Sequence, residues 1–125
     1  MRICFDLDKT LCVGYPYEFA VPIEGRVELL DHLHQLGHTI IIYTARGMGR
    51  SHGNMALAIA AVAPLTCNQL QAWGFRYDEL LFGKPAADIY IDDKALNVEN
   101  IDKFVSSLGK VVGNEQQNTS VTDRA

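Results

Sequence analysis

Residues 3–11 read Ile-Cys-Phe-Asp-Leu-Asp-Lys-Thr-Leu, an apolar run that ends in two aspartates, Asp6 and Asp8, with one residue between them. Side chains alternate between the two faces of a strand, so both carboxylates are brought to the same side where the strand gives way to a loop. At about 4 Å and an effective dielectric constant near 20, the two charges repel by roughly 4 kcal/mol. The pair must therefore share a proton, bind a cation or be separated by water. An edge strand that merely finishes in polar residues fits the same short pattern.

Length and composition predict one small globular domain. The chain has 125 residues, 48% of them hydrophobic, and a net charge of −4, which argues against broad binding to nucleic acid or to an anionic membrane. The first residues lack the features of a secretory signal, and no apolar run approaches the ~20 residues of a membrane span, so we expect a cytoplasmic protein.

Three cysteines without Cys-Xaa-Xaa-Cys spacing argue against a disulfide framework or a zinc site. We expect Cys12, which follows the aspartates closely, to be a packed and inert thiol rather than one exposed enough to oxidise.

The hydrophobic pattern predicts strands that alternate with helices. We expect strands over residues 2–7, 38–43, 80–82 and 88–91, and helices over residues 25–36, 54–73 and 98–108. Pro64 should kink or divide the second helix, and Gly109 should end the last one. This order predicts an α/β fold, a single three-layer Rossmann-like core over residues 1–109 with a mostly parallel sheet. A short hairpin covers residues 11–22, and residues 110–125 should form a mobile tail.

Polar side chains gather where the predicted strands end, and parallel sheets place their functional sites at that edge. Each residue has an ordinary structural explanation, as a strand-end cap, a solvated cation or a turn former. Their joint placement at one edge makes them candidates for a shared site. The residues concerned are Asp6, Asp8, Thr44, Lys84, Asp92 and Asp93.

Taken in order, these motifs resemble the four motifs of the haloacid dehalogenase (HAD) superfamily of phosphotransferases, over about residues 1–105. The short length, together with Tyr43-Thr44-Ala45-Arg46 and Gly83-Lys84-Pro85, looks most like small capless phosphatases of capsular polysaccharide biosynthesis. The resemblance implies a Mg²⁺-dependent phosphomonoester hydrolase that acts through an aspartyl phosphate on a small phosphorylated metabolite, such as a sugar phosphate.

The chain departs from the family at Lys9, where glycine is frequent in phosphatases. Asp8-Lys9-Thr10 also echoes the phosphorylation site of P-type ATPases, which would make Asp8 the nucleophile. We favour Asp6 because it lies at the strand end and an acid follows it two residues later.

The resemblance assigns a role to each catalytic candidate. Asp6 is the nucleophile, and Asp8 protonates the leaving group and later activates water. Thr44 donates its hydroxyl to a phosphoryl oxygen, and Lys84 offsets negative charge. The implied Mg²⁺ ligands are the carboxylate of Asp6, the main-chain carbonyl of Asp8, the carboxylate of Asp92, and Asp93 either directly or through water.

No stretch of the chain is long enough for a cap domain, so the site either admits a large substrate or is completed by a neighbouring subunit of a homo-oligomer. Tyr15, Tyr17 and Phe19 either form an apolar wall beside the leaving group or pin the hairpin to the core. Arg46, Arg50 and His52 either hold a second anionic group or form a solvated loop face. Thr10 is expected to tie down its loop more than to touch substrate.

Two alternatives to a small-molecule phosphatase stay open at this point. The chain fits a non-catalytic or regulatory phosphate-binding domain, and an open site also fits a phosphoprotein phosphatase. Retention of the acid at Asp8 favours an enzyme, because a pure binding module loses nothing without it.

Overall fold

A computed structural model of the protein describes residues 1–50 and 54–115, with side chains through residue 108. The chain forms two compact units, Met1–Asp88 and Ile89–Ala125. The first unit contains strands β1 (Arg2–Asp6), β2 (Cys12–Val13), β3 (Val21–Pro22), β4 (Thr39–Thr44) and β5 (Glu79–Phe82), with helices α1 (Arg26–Gln35) and α2 (Met55–Trp73). The second unit contains a short 3₁₀ turn, Val98–Asn100, and helix α3 (Ile101–Glu115).

The main sheet is parallel, with the strand order β1-β4-β5. Its register runs from Arg2 beside Thr39 to Asp6 beside Tyr43. Fully buried side chains of the first unit, including Leu30 and Leu33 of α1, pack around β4, whose β-branched run suits a central strand. The predicted α/β class and Rossmann-like parallel core are confirmed, and no cap domain is present in the described residues.

The predicted hairpin is confirmed as β2 and β3, which pair in antiparallel fashion. Gly14 permits the close turn between them, because its φ is +130° and a Cβ there would lie 2.9 Å from the Ala20 Cα. The hairpin is too small to act as a cap domain, so it leaves the carboxyl edge of the main sheet open to solvent in the described part of the first unit.

Helix α2 runs without interruption through Pro64, so of the two alternatives that we expected, a kink or a division, the division into two helices is wrong. The Asn54 side chain accepts a hydrogen bond from the Leu57 N–H at its start, and Gly74, at φ +82°, ends it. Its one buried stripe packs beside β5 and consists of Ala58, Val62, Thr66 and Leu70. Burial of this stripe holds the helix together across the proline.

Helix α2 is also long and apolar enough to cross a membrane, contrary to our expectation that no segment would be. One helix of this kind is weak evidence for a membrane protein, since the core helices of soluble proteins meet the same criteria. Its buried stripe includes Thr66, whose hydroxyl accepts a hydrogen bond from Arg46. Only 22% of the apolar window of this helix is buried, so most of its surface is exposed in the described residues.

Two predictions for the second half of the chain are wrong. Residues 88–91 do not form a strand, because strand formation needs a neighbour, and the five residues 83–87 that follow β5 are fewer than a parallel crossover requires. Helix α3 continues past Gly109 to Glu115. The predicted mobile tail lies largely outside the described residues, and the single-domain boundary at residue 109 stays a prediction beside the division at Asp88.

Candidate active site

The Asp6 carboxylate lies at the carboxyl end of β1 and contacts two polar side chains. One oxygen lies 3.3 Å from the Lys84 Nζ, and the other accepts a hydrogen bond from the Thr10 hydroxyl at 3.4 Å. Both distances are long for bonds to a carboxylate, and 35% of the Asp6 side chain is exposed. Asp6 is thus oriented by its neighbours and remains accessible.

The backbone after β5 brings Lys84 to this edge of the sheet, as predicted. Gly83 has a φ of +91°, and a Cβ there would lie 2.7 Å from the Met55 sulfur, so only glycine fits this turn. The Lys84 N–H then donates to the Thr44 carbonyl at 3.1 Å. Two neighbouring strand ends are joined in this way, which places the Lys84 ammonium beside Asp6.

Thr44 ends β4 where the sequence predicted, but its side chain is buried. Its hydroxyl oxygen accepts a hydrogen bond from the Arg46 N–H at 3.1 Å, and only 1% of the residue is exposed. This is the strand-end cap that a threonine commonly forms. Its contact with a phosphoryl group stays a prediction.

Asp8 makes a bidentate ion pair with Arg46. The Nε and Nη2 atoms of the guanidinium lie 2.9 and 3.0 Å from the two carboxylate oxygens, and 0% of the Arg46 side chain is exposed. The planar guanidinium matches the carboxylate geometry, so this pair fixes the direction of the Asp8 side chain. The expected repulsion between Asp6 and Asp8 is therefore relieved by a separate cation on each, Lys84 and Arg46.

The position of the Arg46 side chain contradicts both of our expectations for it, that it holds a second anionic group or that it forms a solvated loop face. Its Nη1 atom donates hydrogen bonds to two residues of α2, the Thr66 hydroxyl at 3.1 Å and the Gln69 Oε1 at 2.6 Å. Its Nη2 also lies 3.6 Å from the Cys12 sulfur. A buried guanidinium needs its donors satisfied within the protein, and here β2, α2 and the Asp8 loop supply the acceptors.

These surroundings change two pKa values. Burial by itself lowers the pKa of the Arg46 guanidinium, but the hydrogen bonds and negative charge of Asp8 outweigh it, and the pKa is raised above its ordinary value. Burial and the neighbouring Asp8 charge raise the pKa of the Cys12 thiol to about 12. Cys12 is fully buried and free of disulfides, which confirms the packed, un-ionised thiol that we expected.

The hairpin aromatics occupy two different environments. Tyr17 lies under the Arg46 guanidinium at 4.7 Å, and its carbonyl accepts a hydrogen bond from Gln69, so it pins the hairpin to the core. Tyr15 is exposed, meets Tyr17 edge to face, and accepts a hydrogen bond from Arg50 at 2.6 Å. Phe19 is 74% exposed. His52 lies outside the described residues.

Lys9, the departure from the family pattern, has a left-handed backbone with a φ of +69°. This conformation is uncommon for a residue other than glycine. It turns the chain directly after Asp8, where the Lys9 N–H donates to the Cys12 carbonyl. Glycine adopts this left-handed conformation without strain.

Asp92 and Asp93 belong to the second unit. The Asp92 carboxylate accepts a hydrogen bond from the Lys94 N–H at 2.8 Å, as in a turn. Their role as metal ligands stays a prediction. Within the described part of the first unit, no three acidic, histidine or cysteine side chains group together to hold a metal ion.

A comparison with solved structures finds a match over most of the chain. A crystal structure of an MCSG target from Vibrio cholerae has 32% sequence identity and a TM-score of 0.70, over 86% of this chain and 98% of that chain. The chain belongs to the same family as this Vibrio cholerae protein. Membership of the family fixes the fold and leaves the chemistry to be argued from the site.

A more distant likeness is to the D,D-heptose 1.7-bisphosphate phosphatase from B. bronchiseptica, solved with magnesium and phosphate. It has 16% identity and a TM-score of 0.46, over 88% of this chain and 64% of that chain. A likeness this weak says nothing about activity. No protein-family model and no curated protein matches the chain.

Two residues of this site were missed by sequence reasoning, Thr66 and Gln69. They lie three residues apart and both bond to Arg46, a spacing that places them on one helical face. The sequence showed this spacing, but it did not show that this face of the helix contacts Arg46. The assembled site offers an accessible carboxylate beside an ammonium, and a second carboxylate held by a buried cation.

Proposed function

We propose that the protein is a Mg²⁺-dependent phosphomonoester hydrolase of the HAD type that works through an aspartyl phosphate on Asp6. The observation that carries this proposal is the Asp6 carboxylate, accessible at a strand end and held between the Lys84 ammonium and the Thr10 hydroxyl. An oriented carboxylate beside a cation suits attack on an anionic phosphoryl group, because the cation offsets the repulsion between the two anions.

The chain carries oxygen donors of the kind that Mg²⁺ prefers. Both Asp6 oxygens have only long contacts, and the Asp8 side chain is engaged by Arg46, which leaves its main-chain carbonyl as the donor that the HAD resemblance assigns. In this proposal Asp92 would supply a further carboxylate and Asp93 an outer contact. Mg²⁺ held by these groups would supply positive charge to neutralise and polarise the phosphoryl group.

The chain's own residues carry the proton and group transfers. An Asp6 oxygen forms a bond to phosphorus while the ester oxygen departs and takes a proton from Asp8. Asp8 then removes a proton from the water that attacks phosphorus, which releases inorganic phosphate and restores the Asp6 carboxylate. For both steps Asp8 must release one of its oxygens from Arg46. Thr44 and Lys84 position the loops and offset charge.

The substrate that we propose is a small phosphorylated metabolite, such as a sugar phosphate of polysaccharide biosynthesis. Exposed Tyr15 presents its ring at the hairpin with Arg50 beside it. An aromatic face and a guanidinium suit a sugar ring and an anionic group, respectively. A phosphoprotein is the alternative substrate for a site that no cap covers in the described residues.

Hydrolysis of an aryl phosphate with Mg²⁺ or with chelator, by the native chain and by Asp6→Asn, tests the proposal. We expect activity only in the native chain with metal. Glu24→Gln, which removes an exposed carboxylate elsewhere, is the matched control and should behave as native. Activity that survives both chelation and Asp6→Asn would contradict the mechanism.

One observation favours a second candidate, a phosphate-binding domain without turnover. Both Asp8 oxygens are engaged by Arg46, and a carboxylate that never leaves this pair cannot serve as general acid. Saturable binding of inorganic phosphate, without hydrolysis of any phosphate ester in a panel of sugar phosphates and phosphopeptides, would support this candidate.

A further inference from the structure

Strand β1 has one open edge. In the part of the chain that the structure describes, β1 pairs with β4 alone and stands at the end of the strand order. Its other edge presents backbone N–H and C=O groups that a further strand can bind, and Cys4 on this strand is exposed. A short edge of this kind is a template for one added strand.

Residues 88–92, Asp-Ile-Tyr-Ile-Asp, have the composition of a strand but do not form one. Ile89 and Ile91 are 75% and 96% exposed, an unusual degree of exposure for two isoleucines so close together. The segment ends at Asp92, which the proposed function requires near Asp6. It therefore has both the apolar character and the terminal carboxylate expected of a neighbour of β1.

The direction of the added strand follows from Asp92. Only a parallel strand brings Asp92 level with Asp6 while Asp88 lies level with Arg2. An antiparallel strand would carry Asp92 to the opposite end of β1, away from the carboxyl edge where Asp6 and Lys84 lie. The pairing that serves the site is therefore parallel, with Asp6 beside Asp92.

The link to this segment is too short for that pairing within one chain. The Lys84 N–H bonds to the Thr44 carbonyl, so the chain is still at the carboxyl edge at residue 84. Four residue steps to Asp88 span at most about 14 Å. The parallel pairing would place Asp88 level with Arg2, which lies level with Thr39, five residues before Thr44. Asp88 would then lie about 17 Å from residue 84 along the strands and about 10 Å sideways, across two strand spacings.

We infer that residues 88–92 of each chain add as a parallel strand to the β1 edge of a second copy, in a reciprocal exchange that forms a dimer. Each site then combines Asp6, Asp8 and Lys84 of one chain with Asp92 of the partner subunit. Each chain contributes the same strand and the same β1 edge, so the exchange requires no new contact surface. It requires only a link too short for the strand to pair with β1 of its own chain. Both the completion of the metal site by the partner copy and the parallel register of the exchanged strand rest on the proposed function, because the position of Asp92 sets that register.

Light scattering after gel filtration tests the assembly. The native chain should have the mass of a dimer, and an insert of about 12 Gly and Ser residues between Ala86 and Ala87, long enough for a crossover, should yield a monomer. The same insert between Gly113 and Asn114, outside the link, is the control and should leave the dimer intact. A monomeric native chain at micromolar concentration would overturn the inference.

Complementation tests the shared site. Asp6→Asn and Asp92→Asn are each expected to be inactive, and chains of the two variants that are co-expressed should regain roughly a quarter of the native activity. Half of the exchanged dimers are then mixed, and each mixed dimer contains one native site, formed by Asp6 of one chain and Asp92 of the other. Mixed dimers that stay inactive would overturn the shared site, because both sites would then lie within single chains.

A disulfide test is independent of activity, so it separates failure of the exchange from failure of the proposed function. In the expected register, Tyr90→Cys faces Cys4 across neighbouring strands, within the distance that a disulfide spans. In a Cys67→Ser background, oxidation should yield a covalent dimer, and the same chain with Cys4→Ser should not. A bond formed within single chains, or none at all, would overturn the exchange.

Discussion

Asp6 and Asp8, two residues apart in the sequence, lie in regions with opposite properties. The Asp6 region is accessible, and its contacts to Lys84 and Thr10 are long. The Asp8 region is built around Arg46, a fully buried guanidinium whose nitrogens all bond within the chain. The comparison shows that two carboxylates in one short motif are divided between a group free to react and a group held in position.

The Asp6 and Asp8 regions should also differ in what they contribute to the free energy of unfolding. A partly exposed ion pair such as Asp6 with Lys84 adds little stability, about 0–1 kcal/mol. A buried guanidinium that loses its partner costs about 3–5 kcal/mol, because a charge is left without compensation. We therefore expect the Asp6 region to control activity and the Arg46 region to control stability.

The largest effect should come from Asp6→Asn, which removes the nucleophile. We expect a loss of activity of at least about 10³-fold, with a free energy of unfolding within about 1 kcal/mol of native. Asp8→Asn should lower both activity and stability, because Arg46 loses its charged partner. Phosphatase assays and urea unfolding of the two variants measure the contrast. Equal stabilities for the two variants would remove the distinction between the regions.

Arg46→Met should destabilise the fold by about 1–3 kcal/mol, because the acceptors on buried Thr66 and half-buried Gln69 lose their donor while Asp8 stays partly exposed. The substitution leaves Asp8 without its cation, and Thr66 and Gln69 lose the guanidinium. Arg50→Met, in the same loop, is the matched control and should cost less than about 0.5 kcal/mol, since Arg50 is exposed. Urea unfolding measures both, and an Arg46→Met chain as stable as the control would show that the cluster contributes nothing.

Lys84→Met should lower kcat by about 10²-fold while leaving the fold intact, because charge that develops on the phosphoryl group loses its neighbouring cation. Lys103→Met, on the exposed face of α3, is the control. Steady-state kinetics with an aryl phosphate measures the effect. An unchanged kcat would argue against a role for Lys84 in the transition state.

The smallest effect concerns Cys12. At pH 8 a thiol reagent should modify exposed Cys67 rapidly and buried Cys12 at least about 100-fold more slowly, as followed by mass spectrometry. The folded chain holds the Cys12 proton up to about pH 12, whereas an unperturbed thiol ionises near pH 9.0. Between these values the folded state binds more protons, so its stability falls as pH rises. Equal labelling of the two thiols would place Cys12 in a loosely packed hairpin.

The strands of the first unit and the location of its candidate site residues at the strand ends were predicted from local pattern, and the burial of Arg46 was not. The β-branched run before Thr44 and the helical leucines of α1 carry their structure in neighbouring residues. Arg46 follows Thr44 on a glycine-containing stretch that reads as a solvated loop. Its burial depends on Thr66 and Gln69, which are 20 and 23 residues away in the chain.

Residues 88–91 also show the limit of local pattern, but here the pattern predicted an element that the structure does not contain. Their composition predicted a strand, yet a strand exists only where a second backbone lies beside it. Pro64 is similar, because a proline ordinarily interrupts a helix, while the packing of the α2 stripe preserves this one.

The sequence by itself determined the order of elements in the first unit and the identity of the groups at its strand ends, because periodicity and turn chemistry act between neighbours in the chain. Only the tertiary structure decided which carboxylate stays accessible and which is paired with a buried arginine. Burial and ion pairing depend on residues distant in the chain, and their energies arise only when the packed core excludes water.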